Sequence, residues 1–209
     1  MPQYASTGYL LRHEVPANNS CLFTSIHFCV TGGEVDENCS QAMRKTIAEK
    51  VAADPIQFDD AVLGQSNKQY CDWIQDTNNW GGAIELCILS KYYEKEIVVA
   101  DIKSARLNRF GENYHYPERI LLLYDGLHYD PLKFQPLDDS SPVQTIFPTE
   151  DEEILTMALE LANEAKRAHQ FTDVRGMTMR CAVCGVSLNS TTAPKHAGET
   201  GHVEFEEIA

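Results

Sequence analysis

The chain has 209 residues, 43% hydrophobic and 23% charged, with 31 acidic against 17 basic side chains and a formal net charge of −14. That length can bury one good-sized core plus a small appendage, and the composition argues against a disordered chain. So acidic a balance also argues against a nucleic-acid surface, which needs a clustered basic face; it suits basic or mixed partners, or serves solubility alone.

Residues 1–9 read as an N-terminal tail. They hold no basic segment followed by a long apolar run, and no stretch of the chain is apolar over the ~18 residues that a membrane helix needs. Neither secretion nor membrane insertion is expected. Seven cysteines without a signal peptide point to a reducing compartment, cytosol or nucleus, where thiols serve chemistry, metal binding or packing.

The stretch Val15 to Phe23 combines a turn, a thiol and a helix start. Pro16 stiffens the approach, Asn18, Asn19 and Ser20 are helix-capping types, and an apolar run from Leu22 to Val30 follows. Cys21 would sit in the first turn, where free N–H groups and the positive dipole end favour thiolate and can receive an oxyanion. A small buried packing residue is the competing reading of the same cysteine.

Gly32-Gly33 breaks this helix. Asn38 or Ser40 can cap a second one running to about Ala53, with Cys29 and Cys39 as packing residues. A short helix over 56–63 and another after Asn67 complete an α-rich first half. Trp80-Gly81-Gly82 leads into a helix from Ala83 to about Tyr93; from pattern alone the loop reads as a tight turn with Trp80 buried and Cys87 in the core. Strands are expected over 96–102, 105–110 and 119–124. Asp125-Gly126 marks a hairpin turn, and Leu127 to Asp130 is its return strand, ended by Pro131. His128 and Asp130, two apart on that strand, share a face, so the carboxylate can fix the imidazole tautomer. The same two residues also fit an ordinary histidine and a turn cap.

Residues 138–148, rich in Pro, Ser and Asp, read as an exposed connection. Thr149 and Glu152 form a capping box for a long helix ending near His169, with Leu155, Ala158, Leu159 and Ala162 as its apolar stripe. Cys181, Cys184, His196 and His202 have the spacing of a tetrahedral two-cysteine two-histidine zinc site. The set is closed, so the metal would be structural, and the surrounding residues are too few to fold unaided. A finger helix around Thr192 to Thr200 carries only Lys195 as a basic residue, which favours protein over nucleic-acid contact.

Asn18-Asn19-Ser20-Cys21-Leu22-Phe23, Trp80-Gly81-Gly82-Ala83-Ile84-Glu85 and Tyr124-Asp125-Gly126-Leu127-His128-Tyr129-Asp130-Pro131-Leu132, in that order, resemble the motifs of the ovarian-tumour (OTU) cysteine deubiquitinases. With the finger, the chain resembles the OTU subfamily carrying a C-terminal zinc finger, from about residue 10 onward. The resemblance implies an α/β papain-like fold, its sheet flanked by helices, with a catalytic domain over 10–148, a long helix and linker over 149–175, and a finger over 176–209. It implies Cys21 as nucleophile, His128 as base, Asp130 as its orienting group, and backbone amides of residues 18–21 as oxyanion donors. Trp80, Gly81, Gly82, Glu85, Leu122 and Leu127 would line the channel for the substrate's tail. Ubiquitin and polyubiquitin chains are the implied partners, with residues 149–154 as a contact for a second ubiquitin. Zinc is the one implied cofactor, none serving catalysis, and a cytoplasmic monomer in protein quality control and the unfolded protein response is the implied setting.

Two departures accompany the resemblance. The family usually has aspartate at the first position of its Asp-x-x-Cys motif, where this chain has Asn18; the amide keeps the size and capping oxygen but not the charge. Relatives also carry an N-terminal ubiquitin-like module that docks the valosin-containing AAA-ATPase, whereas only about 10 residues precede the motifs here. A weakly catalytic ubiquitin-binding adaptor is the alternative function, and a nucleic-acid-binding finger protein a third.

Overall fold

The architecture comes from a computed structural model that describes residues 7–36, 38–137, 141–172, 178–189, 192, 196, 200–202 and 205–208. In chain order the elements are β1 (Gly8–Arg12), α1 (Cys21–Val30), α2 (Cys39–Ala53), α3 (Asp60–Leu63), α4 (Asn67–Gln75), α5 (Ala83–Tyr93), β2 (Glu96–Asp101), β3 (Arg106–Phe110), β4 (Glu118–Tyr124), β5 (Tyr129–Pro136), β6 (Ile146–Pro148) and α6 (Glu152–Arg167). Three short strands follow: β7 (Thr178–Cys181), β8 (Ser187–Asn189) and β9 (Phe205–Ile208).

The main sheet runs β1-β5-β4-β2-β3, with β6 paired to β4. Only β2 and β4 are parallel; the remaining pairs are antiparallel. The continuous apolar runs of β2 and β4 mark strands covered on both faces, and the packing bears this out. Ile97, Val99, Ile120 and Leu122 point into a core shared with α1, α2, α4 and α5. Their neighbours Val98, Ala100, Leu121 and Leu123 point the other way, against Ile154, Leu155, Ala158, Ala162 and Ala165 of α6. The result is a helix–sheet–helix sandwich. No helix among the described residues is long and apolar enough to cross a membrane.

Most elements lie where the sequence places them, and four departures have physical causes. Residues 8–12 form an edge strand that takes over β5 where β4 lets go: β4 pairs as far as Pro131, and Arg12 pairs from Leu132. Pro131 therefore ends one pairing without ending the strand, since its missing N–H matters only on one side. Within the expected connection over 138–148, β6 pairs with β4 and buries Phe147, while Thr145 Oγ1 donates to the Cys29 carbonyl at 2.7 Å. Helix α6 is capped by Asp151, whose Oδ1 accepts from Glu153 N at 3.0 Å and Ile154 N at 3.2 Å; Thr149 Oγ1 turns instead to Tyr116 O. Likewise the short helix near 56 begins only at Asp60, where Asp59 caps it.

The finger has a three-stranded sheet, β8-β7-β9. Its expected helix lies mostly outside the described residues, though His196 N donates to Thr192 O at 3.0 Å, a helical bond.

Candidate active site

The loop before α1 is wound by its own polar groups. Asn18 Oδ1 accepts from Ser20 N at 2.9 Å, Asn18 N donates to Pro16 O at 2.9 Å, and Cys21 N reaches Asn18 O at a long 3.3 Å. The asparagine in place of the family's aspartate is thus a turn-former, using an oxygen that either side chain possesses. Helix α1 is then fixed against β5, because Ser25 Oγ donates to Tyr129 O at 3.0 Å. Cys21 is half-buried at the first turn and free. Burial pushes its thiol pKa up, and Asp130 and Asp125 add to this; the backbone amides of Tyr129 and Leu22 pull it down without winning. This direction opposes the pull toward thiolate of the helix N-terminus, so the chemistry calls for a base beside the thiol.

That base candidate stands at the mouth of the β4–β5 hairpin. Asp125 Oδ1 accepts from Leu127 N at 2.9 Å and His128 N at 2.7 Å, shaping the turn, while Tyr124 and Tyr129 stack across it at 4.4 Å. Behind the turn, Thr172 N donates to Asp125 O at 2.7 Å, and Gly126 (φ +105) has the Thr172 carbonyl 2.2 Å from where a Cβ would lie. Only glycine fits there. His128 Nε2 lies 3.1 Å from Asp130 Oδ1, as the two-residue spacing anticipates.

Asp130 is 1% exposed and fully engaged. Oδ1 also accepts from Val15 N at 2.9 Å, and Oδ2 receives Arg12 Nε and Nη2, both at 2.6 Å. Arg12 has no counterpart in the sequence reading: it lies 118 residues from its partner, and nothing local to either marks the pairing.

The opposite wall is the Trp80-Gly81-Gly82 loop. Trp80 is 56% exposed, not buried as its pattern alone suggests, and its Nε1 donates to Asn19 Oδ1 at 2.6 Å. A Cβ on Gly81 would lie 2.6 Å from Leu22 Cδ2 and 2.9 Å from Phe23 Cζ. Gly81→Ala is therefore expected to cost about 1–3 kcal/mol, lowering the melting temperature by roughly 2–10 °C. A calorimetric scan superimposable on that of the parent chain would count against this packing.

Two residues expected in the substrate channel are elsewhere. Glu85 is 3% exposed and works beneath the loop, accepting from Gly82 N at 2.6 Å and from Tyr70 Oη; burial raises its pKa. Leu122 is 0% exposed and belongs to the helix-side core. Both are corrected to supporting positions. Cys87 is corrected in the other direction, from core to exposed. Cys21, His128, Asn18, Trp80, Gly81, Gly82 and Leu127 do converge, on one cleft of about 260 Å³ that Tyr124 and Tyr129 also line. A second hollow of about 590 Å³ shares Trp80, Tyr124 and Leu127 with it and runs on toward Asp101 and Thr172. A glycine-walled cleft lined by a thiol and an imidazole, the imidazole backed by a buried carboxylate, is equipped for acyl transfer to sulfur.

In the finger, ligand atoms of Cys181, Cys184, His196 and His202 all lie within 4.8 Å of one another, and His202 Nδ1 is buried with no hydrogen-bond partner. Two soft sulfurs, two imidazoles and an orphaned ring nitrogen fit a four-coordinate zinc ion.

Comparison with known proteins agrees with this geometry. Residues 16–131 match the family of OTU-like cysteine proteases, and residues 175–208 match the C-terminal C2H2-type zinc finger of ubiquitin thioesterase OTU1. The chain is 52% identical over 200 residues to the protein of that name from Gallus gallus, and 50% identical over 200 residues to the one from Homo sapiens. Each match covers 95% of this chain, which spans only 66% and 58% of those two relatives. An OTU domain solved in complex with ubiquitin is 32% identical with a TM-score of 0.69, covering 78% of this chain and 90% of that one. The α/β sheet flanked by helices is therefore the OTU fold.

Proposed function

The chain belongs to the OTU-like cysteine proteases, and from that membership we propose that it is a thiol-dependent deubiquitinase, hydrolysing the isopeptide bond between ubiquitin's C-terminus and a lysine. The convergence of Cys21 and His128 on one cleft, with the buried Asp130 held to His128 Nε2, carries this reading. The relatives named ubiquitin thioesterase and the ubiquitin-bound OTU structure support it.

In the proposed reaction His128 takes the Cys21 proton as sulfur attacks the carbonyl, and returns it to the departing lysine amine as the C–N bond breaks; water then hydrolyses the thioester. Asp130, itself held by Arg12 and Val15 N–H, keeps the imidazole oriented. Asn18 N–H and Ser20 N–H are each held at 2.9 Å, whereas Cys21 N–H makes only a 3.3 Å bond and is freer than those two to turn to the oxyanion. The tail passes between Trp80-Gly81-Gly82 and Leu127. Seven cysteines with no disulfide among them suit a cytoplasmic setting.

Mixing the full chain with ubiquitin bearing a C-terminal electrophile tests the reading. A single covalent adduct mapping to Cys21 is the expected result; no adduct, or one on Cys29 or Cys87, sinks it and restores the adaptor.

Zinc held by Cys181, Cys184, His196 and His202 would stabilise the finger without touching the cleft. Protein prepared without chelator is expected to hold one zinc per chain, lost in His202→Ala, with cleavage of simple ubiquitin substrates and the melting of the main domain retained. A metal content near zero, or unfolding of the whole chain on zinc loss, would contradict this division.

A further inference from the structure

Arg44 on α2 has no place in the chemistry above, yet it is 1% exposed. Its hydrogen bonds go to main-chain carbonyls: Nη1 donates to Ile74 O at 3.0 Å and Asp76 O at 3.1 Å, Nη2 to Asn19 O at 2.9 Å and Asn79 O at 2.7 Å. The guanidinium carbon lies 4.3 Å from the centre of the Phe23 ring. Burial lowers its pKa, and Glu85 and Asp76 offset this only in part. A cation held by carbonyl dipoles is a poor stabiliser, since well-packed apolar groups often serve a core equally well. Its partners suggest another use. Asn19 lies two residues before Cys21, Phe23 two after it, and Asn79 immediately before Trp80. The two walls of the cleft thus meet on one planar donor, whose fork geometry no lysine reproduces.

Asn19 completes the link. Its carbonyl is taken by Arg44 and its Oδ1 by Trp80 Nε1 at 2.6 Å. Because the N–H and C=O of a trans peptide point in opposite directions, fixing the Asn19 carbonyl also fixes the Ser20 amide, one residue from the nucleophile. We infer that Arg44 and Asn19 are positioning residues that brace the Cys21 loop against the Trp80 wall and hold the tail channel at its working width before substrate arrives. The inference rests on the deubiquitinase reading and adds two residues that touch no reacting atom.

The test uses the full chain with two reagents: ubiquitin bearing a C-terminal electrophile, which has to thread the channel, and iodoacetamide, which does not. Arg44→Met and Arg44→Lys are expected to slow the first reaction about 100-fold, the scale of a small misplacement near a reacting centre. Alkylation at Cys21, read by mass mapping, should change by less than about threefold. Asn19→Ala and Trp80→Phe should each slow ubiquitin labelling about tenfold and the double variant no further, since both remove one bond. Folded Arg44 variants that label at the parent rate, or that lose both reactions together, overturn the inference. So does an additive double variant, and this cycle alone decides if the Arg44 variants do not fold. An unlabelled parent chain would overturn the deubiquitinase reading and the inference together, whereas a labelled parent with labelled variants removes the inference alone.

Discussion

Cys21→Ser is expected to lower kcat for cleaving ubiquitin conjugates by about a million-fold, the scale seen when a hydrolase loses its nucleophile, with Kd for ubiquitin within about twofold of the parent value. The hydroxyl is nearly isosteric and can keep the turn at the start of α1, so the walls of the cleft stay in place. What changes is the nucleophile: a serine oxygen is far harder to deprotonate than a thiol and less reactive at neutral pH. The parent thiol is already pushed up by burial, so both forms depend on His128 for proton removal, and only sulfur responds well to it. Single-turnover cleavage of diubiquitin beside calorimetric binding measures both quantities. Residual cleavage within tenfold of the parent rate would mean that another group attacks.

Asp130→Ala should come next in size, with kcat down by about 10²–10⁴, as for loss of the orienting group in other triads. Three donors lose their acceptor at once: His128 Nε2, Val15 N and the Arg12 guanidinium. Arg12 can turn to water, being partly exposed, but the Val15 amide is left unpaired. A stability loss of about 1–3 kcal/mol should therefore accompany the kinetic loss. Asn18→Asp, which restores the family's residue, should change kcat by less than about tenfold, because the loop uses only an oxygen that both side chains have. The three proteins compared in one buffer decide the matter. A large gain from Asn18→Asp beside a small loss from Asp130→Ala would show that the orienting role had been given to the wrong residue.

Which parts of this arrangement could be read from sequence follows from how local their causes are. Helix α1 was legible because a turn and an apolar run are contiguous, although Ser20 sits at its N-cap with no side-chain capping bond, and β2 and β4 because burial on both faces leaves an unbroken apolar run. The pairing of His128 with Asp130 was legible for the same reason, two residues on one short stretch. Arg12 was not, since its partner is remote in sequence and β1 is a five-residue edge strand with a single buried side chain. Strand β6, three residues between turn-formers, was hidden in the same way. Glu85 and Leu122 show a different limit. Each adjoins a motif that lines the cleft, but a motif fixes position along the chain, not the direction of a side chain. On β4 both directions of strand alternation lead into a core, so Leu122 is buried whichever way it points. The cap of α6 was a contest between Thr149 and Asp151, two residues apart, and the capping-box pattern alone could not say which would win.

The contact between Thr172 and the Asp125-Gly126 turn bears on where a working fragment can be cut. A fragment ended at Pro148 would strip α6 from the sheet and also remove the backbone that backs the turn presenting His128. The shortest piece that keeps this backing ends at Thr172, six residues before the first finger strand opens at Thr178. Trimming from the C-terminal end is therefore expected to meet a sharp limit at residue 172, beyond which the base loses its footing.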